Sequence, residues 1–221
     1  MSNPYLRPIP LSDPAAPQGE VFRLGGGWVR FTHVERLRRG AVPEIVAAAD
    51  LPADALVPLT RARAPFAGLT LDQPRLMGIL NVTPDSFSDG GCHDGTEKAL
   101  AHGRALLAEG ADLIDIGGES TRPGAAELPE AEEIARIVPV IAELRKAGIT
   151  APLSLDTRKS AVAEAGLQAG ADIVNDVSGL RYDPDLARVA ARRDAPLIVM
   201  HSIGTPETMQ GMAAEAYDDI L

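Results

Sequence analysis

From Arg75 onward, apolar runs of strand length alternate with Ala- and Leu-rich stretches of helical length. The runs are "LMGILNV", "DLIDIGG", "APLSLD", "ADIVNDV" and "APLIVMH". Each is apolar enough to be covered on both faces, as parallel strands are. The intervening pattern predicts helices over Thr96–Glu109, Pro129–Lys146, Lys159–Gln168 and Asp183–Arg193, with a fifth beginning near Pro206. Strand and helix in regular alternation predict a parallel sheet joined by crossover helices.

An internal echo sharpens this. "EGADLIDIGG" from Glu109 and "AGADIVNDVSG" from Ala169 share a helix-ending glycine, then Ala-Asp, then a strand. Gly110 and Gly170 are predicted to close their helices with positive φ. The offset between the two copies spans two βα units of about 30 residues each, close to the repeat length of a (β/α)8 TIM barrel. A doubly wound sheet is the alternative, but the first strand is not followed by G-x-G-x-x-G. About five βα units of the barrel are present.

Residues 1–74 lack that rhythm: prolines are frequent and apolar stretches short. "GGWVRFTHVERL" predicts a strand, and "PEIVAAADLPADAL" a helix cut at Pro52. The expected organisation is an N-terminal accessory region over 1–74 and an incomplete barrel over 75–221.

Composition narrows the function classes. The 221 residues carry a net charge of −10 with no cluster of Lys and Arg, which argues against a general nucleic-acid binder. The single cysteine, Cys92, excludes an intrachain disulfide and a cysteine-rich metal site. No apolar run reaches the roughly 18 residues of a membrane span, and "MSNPYLRPIPLSDPAAPQ" lacks a signal-peptide core. A soluble cytoplasmic protein is expected, with no membrane partner.

In a barrel the carboxyl ends of the strands form the active face. The runs finish in Asn81, in Asp115 followed by "ESTRPG", in Asp156 with Thr157 and Arg158, in Asn175 with Asp176, and in His201. Taken singly, most such residues are turn and cap formers, and Asp156 before "TRKS" is the best case for that role. Asp115, Asn175 and Asp176, however, lie within or against apolar runs, where burial is costly without a partner. Carboxylate and amide together suit a flat heterocycle with an amino-pyrimidine edge, a pterin or a purine. Asn81, a neutral amide oxygen, suits a hard cation or a phosphate oxygen. Thr121, Arg122 and Pro123 form a loop whose arginine could meet an anion. His201 could act as a base, although a lone histidine at a strand end is more often structural.

With those residues in view, "GILNVTPDSFSDGG" and "IGGESTRPGA" resemble the two signature segments of the dihydropteroate synthase family. "SLDTRK", "GADIVNDVSG" and "LIVMHSIGTPETMQ" follow in that family's order. The resemblance implies a transferase of folate biosynthesis. It would condense 6-hydroxymethyl-7,8-dihydropterin diphosphate with 4-aminobenzoate, using Mg²⁺, to give 7,8-dihydropteroate and pyrophosphate. Carried over by motif, Asn81 is expected to bind metal and diphosphate, with Thr121 and Arg122 as further catalytic residues. Asp156, Asn175, Asp115 and Met200 are expected to bind substrate, and Phe87 and Pro123 to line the aminobenzoate site. The segments Asp85–Gly91 and Thr121–Gly124 resemble the family's two mobile loops.

Two departures stand out. "MHSIGTP" replaces the family's usual "MHMQGTP", placing Ser202 and Ile203 in the fifth loop. The sequence ends at "EAYDDIL", before the family's later "DPG" aspartate, its lysine, and the arginine and histidine of its last strand. The expectation is an amino-terminal portion of a longer synthase, inactive by itself; the family is commonly a homodimer, and the full-length form could be one. A cobalamin-linked methyltransferase and a non-catalytic pterin-binding module are the alternatives.

Overall fold

The computed structural model describes residues 4–12, 19–82, 92–119 and 127–202, with the side chains of 92–94 excepted. These fall into two compact units, one within Met1–Pro74 and one from Arg75 onward.

The first unit is a small antiparallel sheet. Its central strand β3 (Arg30–Leu37) pairs with β1 (Tyr5–Pro10), β2 (Phe22–Arg23) and β4 (Glu44–Ala47). Phe31, Val34, Ala48 and Leu56 form its core, with the Phe22 and Phe31 rings 5.7 Å apart. β3 lies within the stretch expected to be extended. The expected helix over "PEIVAAADLPADAL" does not form as one element. Its first half is β4, where Ile45 and Val46 pair with Glu35 and Val34, followed by a 3-10 turn at Ala48–Asp50. Helix α1 (Ala53–Thr60) starts directly after Pro52. β-Branched residues fit a pleated surface better than a helix, and the fixed φ of proline suits a helix start rather than an interior.

The second unit is a five-stranded, wholly parallel sheet: β5 (Met77–Asn81), β6 (Leu113–Gly117), β7 (Leu153–Asp156), β8 (Ile173–Asp176) and β9 (Leu197–Val199). The spatial order follows the sequence order, β5-β6-β7-β8-β9. That serial winding is the order of a TIM barrel, since a doubly wound sheet reverses direction at a switch point. Helices α2 (Cys92–Ala108), α3 (Glu130–Lys146), α4 (Ser160–Ala169) and α5 (Leu186–Arg192) connect the strands. Each overlaps its expected span, and the expected fifth helix near Pro206 lies outside the described residues.

The two faces of the sheet differ. Leu80, Ile114, Ile116, Leu153, Leu155 and Val174 point to the helices and are buried. Those of β5, β6 and β7 meet Ile137, Val140, Ile141 and Leu144 of α3, spaced as one face of a helix should be, and Val174 meets Leu186, Val189 and Ala190 of α5. The echoed segments share one construction. Gly110 and Gly170 close α2 and α4 with φ of 110° and 115°, a region that favours glycine. Asp112 and Asp172 then accept the backbone N–H of Leu76 and Leu153, each at the start of another strand, at 2.8 Å.

Candidate functional site

The face of the sheet away from the helices carries the polar residues. Register places Asn81, Gly117, Asp156 and Asn175 opposite one another across four adjacent strands, with Ile198 completing the row on β9. Two residues earlier, a second row runs Ile79, Asp115, Ser154, Ile173 on the same face, because side chains of a strand alternate with period two. Asp115 therefore lies mid-strand, one layer beneath the row, rather than at the strand end its run suggested. Ile116 and Gly117 carry β6 two residues further.

Gly117 opens a gap in the upper row. A Cβ there would lie 3.4 Å from Asp156 Oδ2 and 3.7 Å from Asn81 Oδ1, so both side chains converge on the space it leaves. Asp115 is satisfied from within: Ser154 Oγ donates to its Oδ1 at 2.5 Å and Asn175 Nδ2 to its Oδ2 at 3.1 Å. Asp156 is not. Its Oδ1 is buried without a hydrogen-bond partner among the described residues. Burial first, then the negative charges of Asp115, Glu133, Glu119 and Asp176, push its pKa from 3.8 up to about 7.

The arrangement is a floor of acceptors. Asp156 offers a carboxylate, and Asn175 keeps its amide oxygen free of the bond made by its nitrogen. The complementary ligand brings N–H donors, which would satisfy Asp156 Oδ1 and favour its ionised form.

Asp156 does not cap α4, the role a turn residue would have there. Asp183 Oδ2 accepts from Ser160 N at 2.8 Å instead. Asp176 stands apart from Asn175. It points to the other face, fully buried, and accepts the backbone N–H groups of Ser178 at 2.7 Å and Leu180 at 2.5 Å, so its burial is explained by its own turn. Met200 follows β9, donates its backbone N–H to Asp176 O at 3.0 Å, and is 44% exposed. His201 lies beyond it and is exposed. Thr121, Arg122, Pro123 and Phe87 lie outside the described residues, as do the Asp85–Gly91 and Thr121–Gly124 segments and Ile203.

Gly117, Ser154, Glu133 and Lys159 belong to the site or its support and were not singled out from sequence. Ser154 carried a signal: it stands two residues before Asp156 in "APLSLD" and so shares its face. Glu133 carried none, since "PEAEE" reads as an acidic, solvated first helical turn.

Residues 77–221 match the family model described as pterin binding enzyme. Dihydropteroate synthase of Bacillus subtilis is 51% identical over 127 residues, 58% of this chain and 44% of the relative. That of Synechocystis is 47% identical over 146 residues, 66% of this chain and 50% of the relative. Among solved structures, Yersinia pestis dihydropteroate synthase with a sulfonamide drug complex is similar at a TM-score of 0.61 and 49% identity, covering 71% of this chain and 56% of the other. Xanthomonas albilineans dihydropteroate synthase with 4-aminobenzoic acid gives 0.57 and 54%, covering 62% and 51%. The chain spans about half the length of the curated relatives it matches.

Proposed function

The chain belongs to the pterin-binding enzyme family, and on that premise we propose that it carries the pterin site of a dihydropteroate synthase. The reaction joins 6-hydroxymethyl-7,8-dihydropterin diphosphate and 4-aminobenzoate into 7,8-dihydropteroate, releasing pyrophosphate. The observation that carries this reading is Asp156 Oδ1, without a hydrogen-bond partner among the described residues and set beside Asn175 and Asn81 over a glycine gap.

Asp156 and Asn175 would take the amino-pyrimidine edge of the pterin, with Asp115 holding the Asn175 amide in place. The aromatic amine needs little activation, being unprotonated near neutrality. Its nitrogen forms the new bond to the exocyclic carbon as the C–O bond to diphosphate breaks, and the amine then loses a proton to solvent. Catalysis is mostly positioning and stabilisation of the departing charge. Thr121 and Arg122 would sit near the diphosphate, Phe87 and Pro123 along the aminobenzoate, and Met200 at the rim beside β9.

Mg²⁺ fits the donor chemistry of Asn81. A single neutral amide oxygen at an exposed strand end suits an ion that keeps most of its waters and its phosphate oxygens. When bound, it supplies neutralisation of the leaving group. Among the described residues, no helix is long and apolar enough to cross a membrane. The single cysteine suits a cytoplasmic location, and a homodimer is the assembly the family resemblance implies.

Calorimetry with 6-hydroxymethylpterin tests the site. Binding that is lost in Asp156→Ala supports the reading; an unmutated chain that ignores the pterin sinks it. Pyrophosphate release with 4-aminobenzoate then tests the reaction.

A further inference from the structure

Behind the row lies a group of buried charges to which the pterin reading gives no task. Glu133, in the first turn of α3, is fully buried, and the Lys159 side chain, at the start of α4, is 1% exposed. Lys159 Nζ donates to Glu133 Oε2 at 2.7 Å and to Leu128 O at 2.5 Å, and lies 3.2 Å from Glu119 Oε2. The other oxygen of Glu133 accepts from Thr157 Oγ1 at 2.8 Å. That hydroxyl in turn accepts the Lys159 backbone N–H at 3.3 Å. One carboxylate therefore ties down Thr157 and Lys159, the first and third residues after Asp156. Arg158, between them, is held by both Glu119 oxygens at 3.2 Å and lies 4.2 Å over the Tyr182 ring.

The consequence reaches the sheet. Thr157 N–H donates to Asn175 O at 3.1 Å, carrying the ladder between β7 and β8 one step past the end of β7. Buried ion pairs add little net stability over apolar residues of the same shape, because desolvation offsets attraction. What such a pair with satisfied oxygens does supply is a fixed geometry.

We propose that Glu133 and Lys159 are positioning residues: through Thr157 they hold the end of β7 so that the Asp156 carboxylate faces the gap at Gly117, between Asn81 and Asn175. The proposal deepens the reading of this row as a pterin site and rests on it. Neither residue touches the ligand. Each acts through the direction it gives Asp156.

Two variants test it on the whole chain. Glu133→Leu with Lys159→Met replaces the pair by apolar side chains, and Thr157→Val keeps the pair but cuts its link to the strand end. Three quantities are measured: the urea midpoint, hydrogen exchange of the residue 157 amide, and calorimetric affinity for 6-hydroxymethylpterin. The expected result is exchange at residue 157 about tenfold faster and affinity about tenfold weaker in both, with the midpoint of the double variant near that of the unmutated chain and that of Thr157→Val lower, because Glu133 loses a donor. Exchange at 157 unchanged in both variants overturns the proposal, and so does faster exchange with affinity unchanged. If the double variant does not fold, Thr157→Val decides alone. If the unmutated chain binds no pterin, the functional reading falls, and exchange at 157 still decides whether the pair holds the strand end.

Discussion

Asp156 and Asn175 stand directly opposite each other on neighbouring parallel strands, yet the Asn175 amide donates to Asp115 and leaves Asp156 Oδ1 without a partner among the described residues. An acidic side chain so placed holds its proton to about pH 7 in the folded chain, against 3.8 for the ordinary value. Between those pH values the folded chain carries a proton that the unfolded chain has lost. Stability contributed by this group is therefore level below pH 4, falls as pH rises from 4 to 7 by on the order of 4 kcal/mol, and is level again above. Asp156→Asn should remove that slope and leave the variant more stable than the unmutated chain at pH 8. Urea midpoints at pH 5 and pH 8 measure it; the same pH dependence in both proteins would assign the slope to other groups.

The same proton should report on the ligand. N–H donors of a pterin favour the ionised carboxylate, so binding below pH 7 should expel a proton. Calorimetry at pH 6 in buffers of different ionisation heat reads this directly. A binding heat independent of buffer would show that Asp156 keeps its proton in the complex.

Gly117 separates binding from folding. An added methyl would meet Asp156 Oδ2 and Asn81 Oδ1 at 3.4 and 3.7 Å, ordinary contact distances. Gly117→Ala should leave stability within about 1 kcal/mol while filling the gap in which a ligand would lie. Weakening of 6-hydroxymethylpterin affinity by about tenfold or more is expected, with little change in the urea midpoint. Unchanged affinity would place the ligand elsewhere.

The sheet was legible because it is built redundantly. Apolar runs mark the strands, and the echoed Gly-Ala-Asp segments mark the joints: Gly110 and Gly170 end helices, and Asp112 and Asp172 bond to the start of another strand. The row itself was legible in part. Asn81, Asp156 and Asn175 terminate their strands as polar residues in apolar runs. Whether two such residues share a face depends on register between strands, which a single sequence does not display; hence Asp115 proved one layer deeper and Asp176 turned to the helices. Glu133 was illegible because a helix's first turn attracts acidic residues for its dipole alone. Only the packing of α3 against the β7–α4 junction tells a buried glutamate from a solvated one. The accessory unit was harder to read, since Pro52 begins a helix there and a proline can either start or stop one.

Helix α4 depends on a small residue. A Cβ on Gly166 would fall 2.4 Å from Leu155 Cδ2, whose side chain is fully buried under the helix. The helical propensity that alanine adds, up to about 1 kcal/mol, is outweighed by the displacement it forces in a close-packed core. Gly166→Ala should lower stability by about 1–3 kcal/mol. Denaturant titration checks it, and a variant as stable as the unmutated chain would mean that α4 can lift from β7 without cost.

Asn81 and Asp156 share one row but are separated by Gly117, so their contributions should divide. If Asn81 offers its amide oxygen to Mg²⁺ and diphosphate, and Asp156 its carboxylate to the pterin ring, then Asn81→Ala should act on one ligand only. Removing one neutral ligand oxygen is expected to weaken Mg²⁺-dependent pyrophosphate binding by about tenfold. Affinity for 6-hydroxymethylpterin, which lacks the diphosphate, should stay within about twofold. Calorimetric titrations of both ligands, each with Mg²⁺ and with a chelator, separate the cases. Equal losses for both ligands would mean that Asn81 shapes the whole row rather than its diphosphate end, and unchanged pyrophosphate binding would remove it from the metal site altogether.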